Sequence, residues 1–344
     1  MKIGKFDLDK DGIFIIAELS ANHGGKISIA KESIKAIASS GANAVKLQTY
    51  TADTLTIDCK KEDFIIKGTT LWDEKSLYDL YKEAYTPWEW HKELFDYARS
   101  LGLEVFSTPF DISAVDFLEK LDPPAYKIAS FEITDYALVR YTASQGKPII
   151  ISTGIATLQE IQDVVAICRE VGNDEIILLK CTSAYPAPLK DANLAMIPNL
   201  AETFGVISGF SDHTLGTTAP VVATAFGAKV IEKHFILDKS IGGADADFSL
   251  DFNEFKQMVT AIRDAEKLFG KIDYSLNEKK QNSRQFARSL YIVKDVKAGE
   301  VVTEENIRSI RPGYGMHPKY LDKVLGKKFR NNYKKGTPLA WEHI

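Results

Sequence analysis

The chain has 344 residues, is 45% hydrophobic and 26% charged, and carries a formal net charge of -4. It is longer than a single barrel domain of about 250 residues requires, which leaves room for a small second domain. The weak acidic balance gives no reason to expect nucleic acid or an anionic membrane as partner. Cys59, Cys168 and Cys181 form no CxxC pair, and an odd count argues against a disulfide framework, so a reducing cytosol is expected. The start MKIGKFDLDKDG is too polar for a signal peptide, and no apolar run approaches the roughly 20 residues of a membrane span.

In chain order, eight short apolar runs each end in a polar residue. The ends are Glu18 after IFIIA, Lys46 after ANAV, Ser107 after LEVF, Lys127 after PPAY, Ser152 after PIII, Lys180 after EIILL, Ser208 after GVI and His234 after KVIEK. Gly41, Gly102, Gly146, Gly172 and Gly227 stand before five of these runs, each behind a helix-like stretch. Helix, glycine C-cap, buried strand and polar tip therefore repeat. The pattern predicts an α/β protein, a (β/α)8 TIM barrel, whose active site lies at the C-terminal strand ends. The strand tips are thus the candidate catalytic residues.

The barrel is expected over residues 1–270. Between Lys46 and Ser107 lies a long insertion containing TADTLTIDCKKEDFIIKGTTLW, whose GTTLW end reads as a lid, and then the helical DEKSLYDLYKEAYTP. The helix PWEWHKELFDYARS starts near Pro87. Residues 271–290 are polar and read as a linker. Residues 291–344 form a second unit, with the strand SLYIVKDV, the turn KAGE and a short helical turn capped by Thr303. Its core is small, so it is expected to depend on packing against something else.

Glu18 at the first tip, with Asn22 and His23 in the next loop, can serve as a general base or hold a metal-bound water; the plainer alternative is a capping or salt-bridging carboxylate. Lys46, Lys127 and Lys180 end three strands, and inward lysines are costly unless they meet an anion. With Thr108, Ser130, Ser152 and Ser211 nearby they would make a pocket for phosphate and carboxylate. The alternatives are ion pairs with Glu132 or Asp111, or one Schiff-base lysine. His213 and His234, on neighbouring strands, could ligate a divalent metal. Asp245 and Asp247 are site residues or turn formers. Tyr185 binds a sugar or packs beneath its loop. Arg311 in RPGYG reads, by itself, as a surface turn. His91 and His343 carry no functional expectation.

IAELSANHGG, AVKLQTY, FSTPFD, YKIAS, ISTG, KCTSAYP, SGFSDHTLG, IEKHF, FSLD, ARSL and RPGYG, in this order, resemble the sialic acid synthase family of bacterial nonulosonic acid synthases over nearly the whole length. The resemblance implies a barrel plus a small C-terminal antifreeze-like (SAF) domain. It also implies a domain-swapped homodimer in which the small domain covers the partner's barrel mouth. The implied reaction condenses phosphoenolpyruvate with an N-acetylated amino sugar and releases phosphate. Lys46, Thr108, Lys127, Ser130, Ser152, Ser183 and Ser211 would hold phosphoenolpyruvate; His213 and His234 would bind Mn2+ or Mg2+, with Co2+ a further candidate. Glu18 would orient the metal-bound water. Gln48, Glu132, Tyr185 and Asp245 would meet the sugar, with Arg311 of the partner subunit.

Within the family, the ELSANH stretch looks most like the branch acting on 2,4-diacetamido-2,4,6-trideoxy-altrose; sialic and legionaminic branches tend to show a glycine and an aliphatic residue there. An N-acetylneuraminate or legionaminic synthase acting on a manno-configured sugar is the alternative. For the altrose, GTTLW, Tyr50 and Phe286 would supply apolar surface. The rival readings are a phosphoenolpyruvate condensation giving a shorter keto acid, a Schiff-base aldolase, and a non-catalytic sugar- or ice-binding protein.

Overall fold

The computed structural model describes residues 1–67 and 73–344. The chain divides into two compact units, Met1–Gly270 and Lys271–Ile344.

In the first unit, eight parallel strands form β1 (Phe14–Glu18), β2 (Ala44–Thr49), β3 (Glu104–Pro109), β4 (Tyr126–Ile128), β5 (Ile149–Ser152), β6 (Ile176–Cys181), β7 (Ile207–Asp212) and β8 (Val230–His234). Parallel ladders run from β3 through β2, β1, β8, β7, β6 and β5 to β4, and β3 lies beside β4 to complete the ring. Helices follow the strands: α1 (Ile27–Ser40), α2 (Trp88–Ser100), α3 (Ile112–Glu119), α4 (Tyr136–Ala143), α5 (Leu158–Glu170), α6 (Met196–Phe204), α7 (Thr218–Ala225) and α8 (Phe252–Phe269). The five glycines before strands have φ of 71–90°, the left-handed conformation that ends a helix and that other residues rarely adopt. The GTTLW stretch lies outside the described residues.

Alternation along each strand makes two cores. One set of side chains, with Ile15, Val45, Val105, Ile151, Leu178 and Ile231, packs outward against the helices. The other set fills the barrel: Phe14, Ile16, Ala44, Phe106, Ala125, Ile150, Ile177, Leu179 and Val230. The N-terminal hairpin, Lys2–Ile3 paired with Phe6–Asp7, adds Ile3 and Leu8 to this inner core. Two residues further along each strand, the inward positions turn polar, and there the cavity begins.

The register corrects three expectations. Lys180, Ser107 and Ser208 stand one residue out of phase with the inward set. Lys180 donates to the Cys181 carbonyl at 2.6 Å and to Thr182 Oγ1 at 3.2 Å, away from the cavity. Ser107 hydrogen-bonds Thr49 Oγ1, which meets His91 Nε2, behind the strands. Asp111 caps α3, accepting from the Ser113 and Ala114 amides, and does not pair with a lysine.

In the second unit, β9 (Ser289–Ile292) pairs antiparallel with β10 (Ile307–Ile310). Leu290, Ile292, Val296, Val302, Ile307, Phe329 and Leu339 form its core. The polar stretch before it is not featureless: Glu278–Ser283 is helical, capped by Asn277, and Arg284–Phe286 forms a 3-10 turn. In the RPGYG loop a Cβ on Gly315 would collide with the Leu290 carbonyl, so only glycine allows the loop to lie this close to β9.

Candidate active site

The C-terminal mouth of the barrel holds a cavity of about 540 Å3, of ordinary size for a small-molecule site. Glu18, Lys46, Gln48, Lys127, Ser130, Glu132, Ser152, Ser183, Tyr185, Ser211, His213, His234 and Asp245 line it. Thr108 lies against it, accepting from Lys46 Nζ at 3.1 Å. Arg311 belongs to the second unit, on a concave surface with Lys280 and Arg284. Phe286 is also in that unit and is exposed.

The floor is ionic. Lys46 pairs with Glu18 and lies 3.8 Å from Glu232; Lys127 lies 3.7 Å from the same carboxylate and donates to Ser152 Oγ at 2.7 Å. Gln48 donates to Glu18 at 3.1 Å, and Ser211 donates to Glu232 at 3.0 Å. All four charged side chains are buried. Burial pushes the Glu18 carboxyl up to about 7, against the pull of Lys46. Burial also acts to raise Glu232, but Lys127 and Lys46 outweigh it and hold that carboxyl below its usual value. Two neighbouring carboxyls are thereby driven apart, one held ionised and one able to carry a proton near neutrality. Burial lowers Lys127; at Lys46 the charge of Glu18 overcomes burial and raises it.

Glu232 was not singled out by sequence reasoning, which stopped at the tip residue His234. The signal was present: 230, 232 and 234 share one face of β8, and the tip position marks that face as inward.

Above the floor, Ser130 Oγ and Ser183 Oγ are buried with no hydrogen-bond partner among the described residues. Gly154 faces both hydroxyls, and a Cβ there would collide with them. Unsatisfied buried hydroxyls beside an open space and two lysines make an anion cradle. Glu132 is pushed up to about 7 by burial, with Lys127 opposing.

The imidazoles of His213 and His234 lie 5.3 Å apart, centre to centre. Tyr185 and Phe248 pack on them, with Tyr185 4.5 Å from His213. His234 Nδ1 is buried without a hydrogen-bond partner among the described residues, 3.7 Å from Asp245 Oδ2. Burial, then the neighbouring His213, drives His234 well below its ordinary value, so it is neutral, the form that binds metal. Among the described residues no group of three or more His, Cys, Asp or Glu forms a ready-made metal cluster. The two imidazoles, one with an orphaned nitrogen, fit a divalent cation whose remaining positions would be open to ligands from solution.

The loops divide in role. Asn22 donates to the Phe235 carbonyl at 2.9 Å and to Ser249 at 2.8 Å, stitching the mouth together, while His23 accepts from the Gly25 amide at 3.1 Å within its own loop. Asp245 faces the cavity while Asp247 is exposed. Tyr50, Leu55, Ile66, Leu77, Leu80 and Phe110 make one wall of the cavity apolar.

Residues 33–274 match the NeuB family and residues 287–344 match the SAF domain. The chain is 52% identical to pseudaminic acid synthase of Campylobacter jejuni, covering 98% of both chains. It is 51% identical to pseudaminic acid synthase of Helicobacter pylori, covering 96% of this chain and 97% of that one. The crystal structure of the spore coat polysaccharide biosynthesis protein SpsE of Bacillus subtilis superposes with a TM-score of 0.68 at 34% identity, covering 100% of this chain and 98% of that one. Agreement at this level across both domains, on a barrel whose inward polar tier gathers one cavity, makes the chain a member of the NeuB family.

Proposed function

We propose that the chain is a pseudaminic acid synthase, condensing phosphoenolpyruvate with 2,4-diacetamido-2,4,6-trideoxy-altrose and water to give pseudaminic acid and phosphate. The observation that carries the reading is one cavity lined by buried Lys46 and Lys127, by the Ser130 and Ser183 hydroxyls left unsatisfied among the described residues, and by the two imidazoles. The half-identical relatives bearing that activity supply the choice of sugar. The apolar wall of Tyr50, Leu55, Ile66, Leu77, Leu80 and Phe110 suits a sugar with a methyl at carbon 6 and two acetamido groups.

In this account Lys46 and Lys127 neutralise the phosphate and carboxylate, with Thr108, Ser130, Ser152, Ser183 and Ser211 as hydroxyl partners. Preorganised charge of this kind stabilises an anionic substrate without reorganisation during reaction. Gln48, Glu132, Tyr185 and Asp245 face the open-chain sugar, and Arg311 of the partner subunit completes its site in a domain-swapped dimer. A divalent metal held by His213 and His234, Mn2+ or Mg2+, would supply Lewis-acid polarisation of the aldehyde oxygen. Carbon 3 of phosphoenolpyruvate attacks the aldehyde carbon, the C=O electron pair passes to the aldehyde oxygen, which takes up a proton to become a hydroxyl, and carbon 2 becomes cation-like. Glu18 takes a proton from the water that adds at carbon 2. The tetrahedral intermediate then loses phosphate by cleavage of its C–O bond, leaving the keto group of a nine-carbon acid.

The test is phosphoenolpyruvate labelled with 18O at its bridging oxygen, incubated with the altrose sugar and Mn2+. The account expects a nine-carbon product and the label in released phosphate. Label retained in the organic product would contradict C–O cleavage, and absence of product would contradict the condensation.

A further inference from the structure

Ser20 has a backbone φ of 47°, in the left-handed region that L side chains rarely adopt. Among the described residues, the other non-glycine residues with positive φ are Glu74, Asp122 and Asn193, and none of these lines the cavity. Ser20 does line it, two residues past Glu18, and is 3% exposed. Its hydroxyl donates to Asp245 Oδ2, joining the loop after β1 to the loop after β8. The same carboxylate oxygen lies 3.7 Å from His234 Nδ1. Glycine would take up this backbone without strain, whereas serine takes it up and commits its only side-chain donor to the Asp245 carboxylate. Strained conformations concentrate where the surrounding structure needs a particular group in a particular place.

We propose that Ser20 is a positioning residue for sugar recognition: it fixes Asp245 at the cavity wall so that the carboxylate accepts a hydroxyl hydrogen of the open-chain sugar. This rests on the proposed function above, and adds to it a residue that acts through Asp245. The strain and the hydrogen bond make opposite demands on one side chain, which separates positioning from stability.

The experiment compares Ser20→Gly and Ser20→Ala with the wild-type protein, alone and in an Asp245→Ala background. Ser20→Gly relieves the backbone and removes the hydroxyl, so its Tm is expected to equal or exceed that of wild type. Its kcat/KM for the sugar is expected to fall about tenfold or more, with KM for phosphoenolpyruvate held within about twofold. Ser20→Ala keeps the strain, so it should lose the same sugar kcat/KM with a lower Tm than Ser20→Gly. With Asp245→Ala present, Ser20→Gly should change sugar kcat/KM less than about twofold, because the two act through one interaction. Unchanged sugar kcat/KM in Ser20→Gly, or full additivity with Asp245→Ala, overturns the proposal. If the wild-type protein turns over a manno-configured sugar and not the altrose, the proposed function falls; the same ratios with that sugar then decide the role of Ser20. Silence with every sugar overturns both.

Discussion

Asp212 Oδ2 and Lys233 Nζ form an ion pair 2.5 Å long in which both side chains are wholly buried. Asp212 immediately precedes His213, and Lys233 immediately precedes His234. Lys233 also donates to the Thr214 carbonyl, and the Thr214 amide donates to Asp212 at 2.8 Å. The pair therefore clamps β7 to β8 on the outward face, directly behind the two imidazoles. Removing one partner strands a buried charge. Asp212→Asn should cost about 3–5 kcal/mol of stability, while Asp212→Leu with Lys233→Met should cost much less. Urea unfolding of the three proteins checks this; equal loss in the single and double variants would contradict it.

The two faces of the strands give a sharp contrast among lysines. Lys127→Met removes a buried partner of the anion cradle, and charge-assisted hydrogen bonds of about 1.5–3 kcal/mol imply a rise in KM for phosphoenolpyruvate of about tenfold or more. Lys180→Met lies outside the cavity and should leave that KM within about twofold. Steady-state kinetics of both variants decide it.

In the proposed mechanism Glu18 moves a proton and does not hold phosphoenolpyruvate. Glu18→Gln should bind phosphoenolpyruvate nearly as wild type does and lose turnover by about 100-fold or more. Calorimetric binding measured beside turnover separates the two effects. Near-normal turnover would remove Glu18 from the chemistry.

Glu132 sets a pH dependence of stability. Its carboxyl stands at about 7 in the folded protein against an ordinary 4.5, chiefly through burial. The folded state thus holds this proton more tightly than the unfolded chain. The contribution is fully present below pH 4.5 and is lost as pH rises through about 7. Glu132→Gln should match or trail wild type at pH 4.5 and exceed it at pH 8, as read by Tm across that range. Parallel curves for the two proteins would contradict the assignment.

Loss of metal should silence the reaction and leave the fold intact. EDTA treatment is expected to abolish phosphate release, with recovery on adding Mn2+. His234→Ala should lose Mn2+ binding measured directly by electron paramagnetic resonance. Full Mn2+ binding by that variant would contradict its role.

The barrel was legible because it is written locally: glycine before a strand, a buried run and a polar tip, repeated along the chain. Which tip faces inward was less legible, because strands end at different phases of the same two-residue alternation. Lys180, Ser107 and Ser208 look like Lys46 and Lys127 in sequence but point the other way. Glu232 went unnoticed for the converse reason, lying two residues inside the tip at His234. The Ser20–Asp245 bond joins residues far apart in the chain and depends on a backbone angle, so no local pattern announces it. The wall made by Leu55, Ile66, Leu77 and Leu80 comes from an insertion whose apolar residues carry no barrel periodicity.

The central claim is most directly tested by phosphate release from phosphoenolpyruvate with Mn2+, comparing 2,4-diacetamido-2,4,6-trideoxy-altrose with N-acetylmannosamine and a 6-deoxy manno-configured diacetamido sugar. The account predicts selective turnover of the altrose, abolished by EDTA. Preferential turnover of either manno-configured sugar would contradict it.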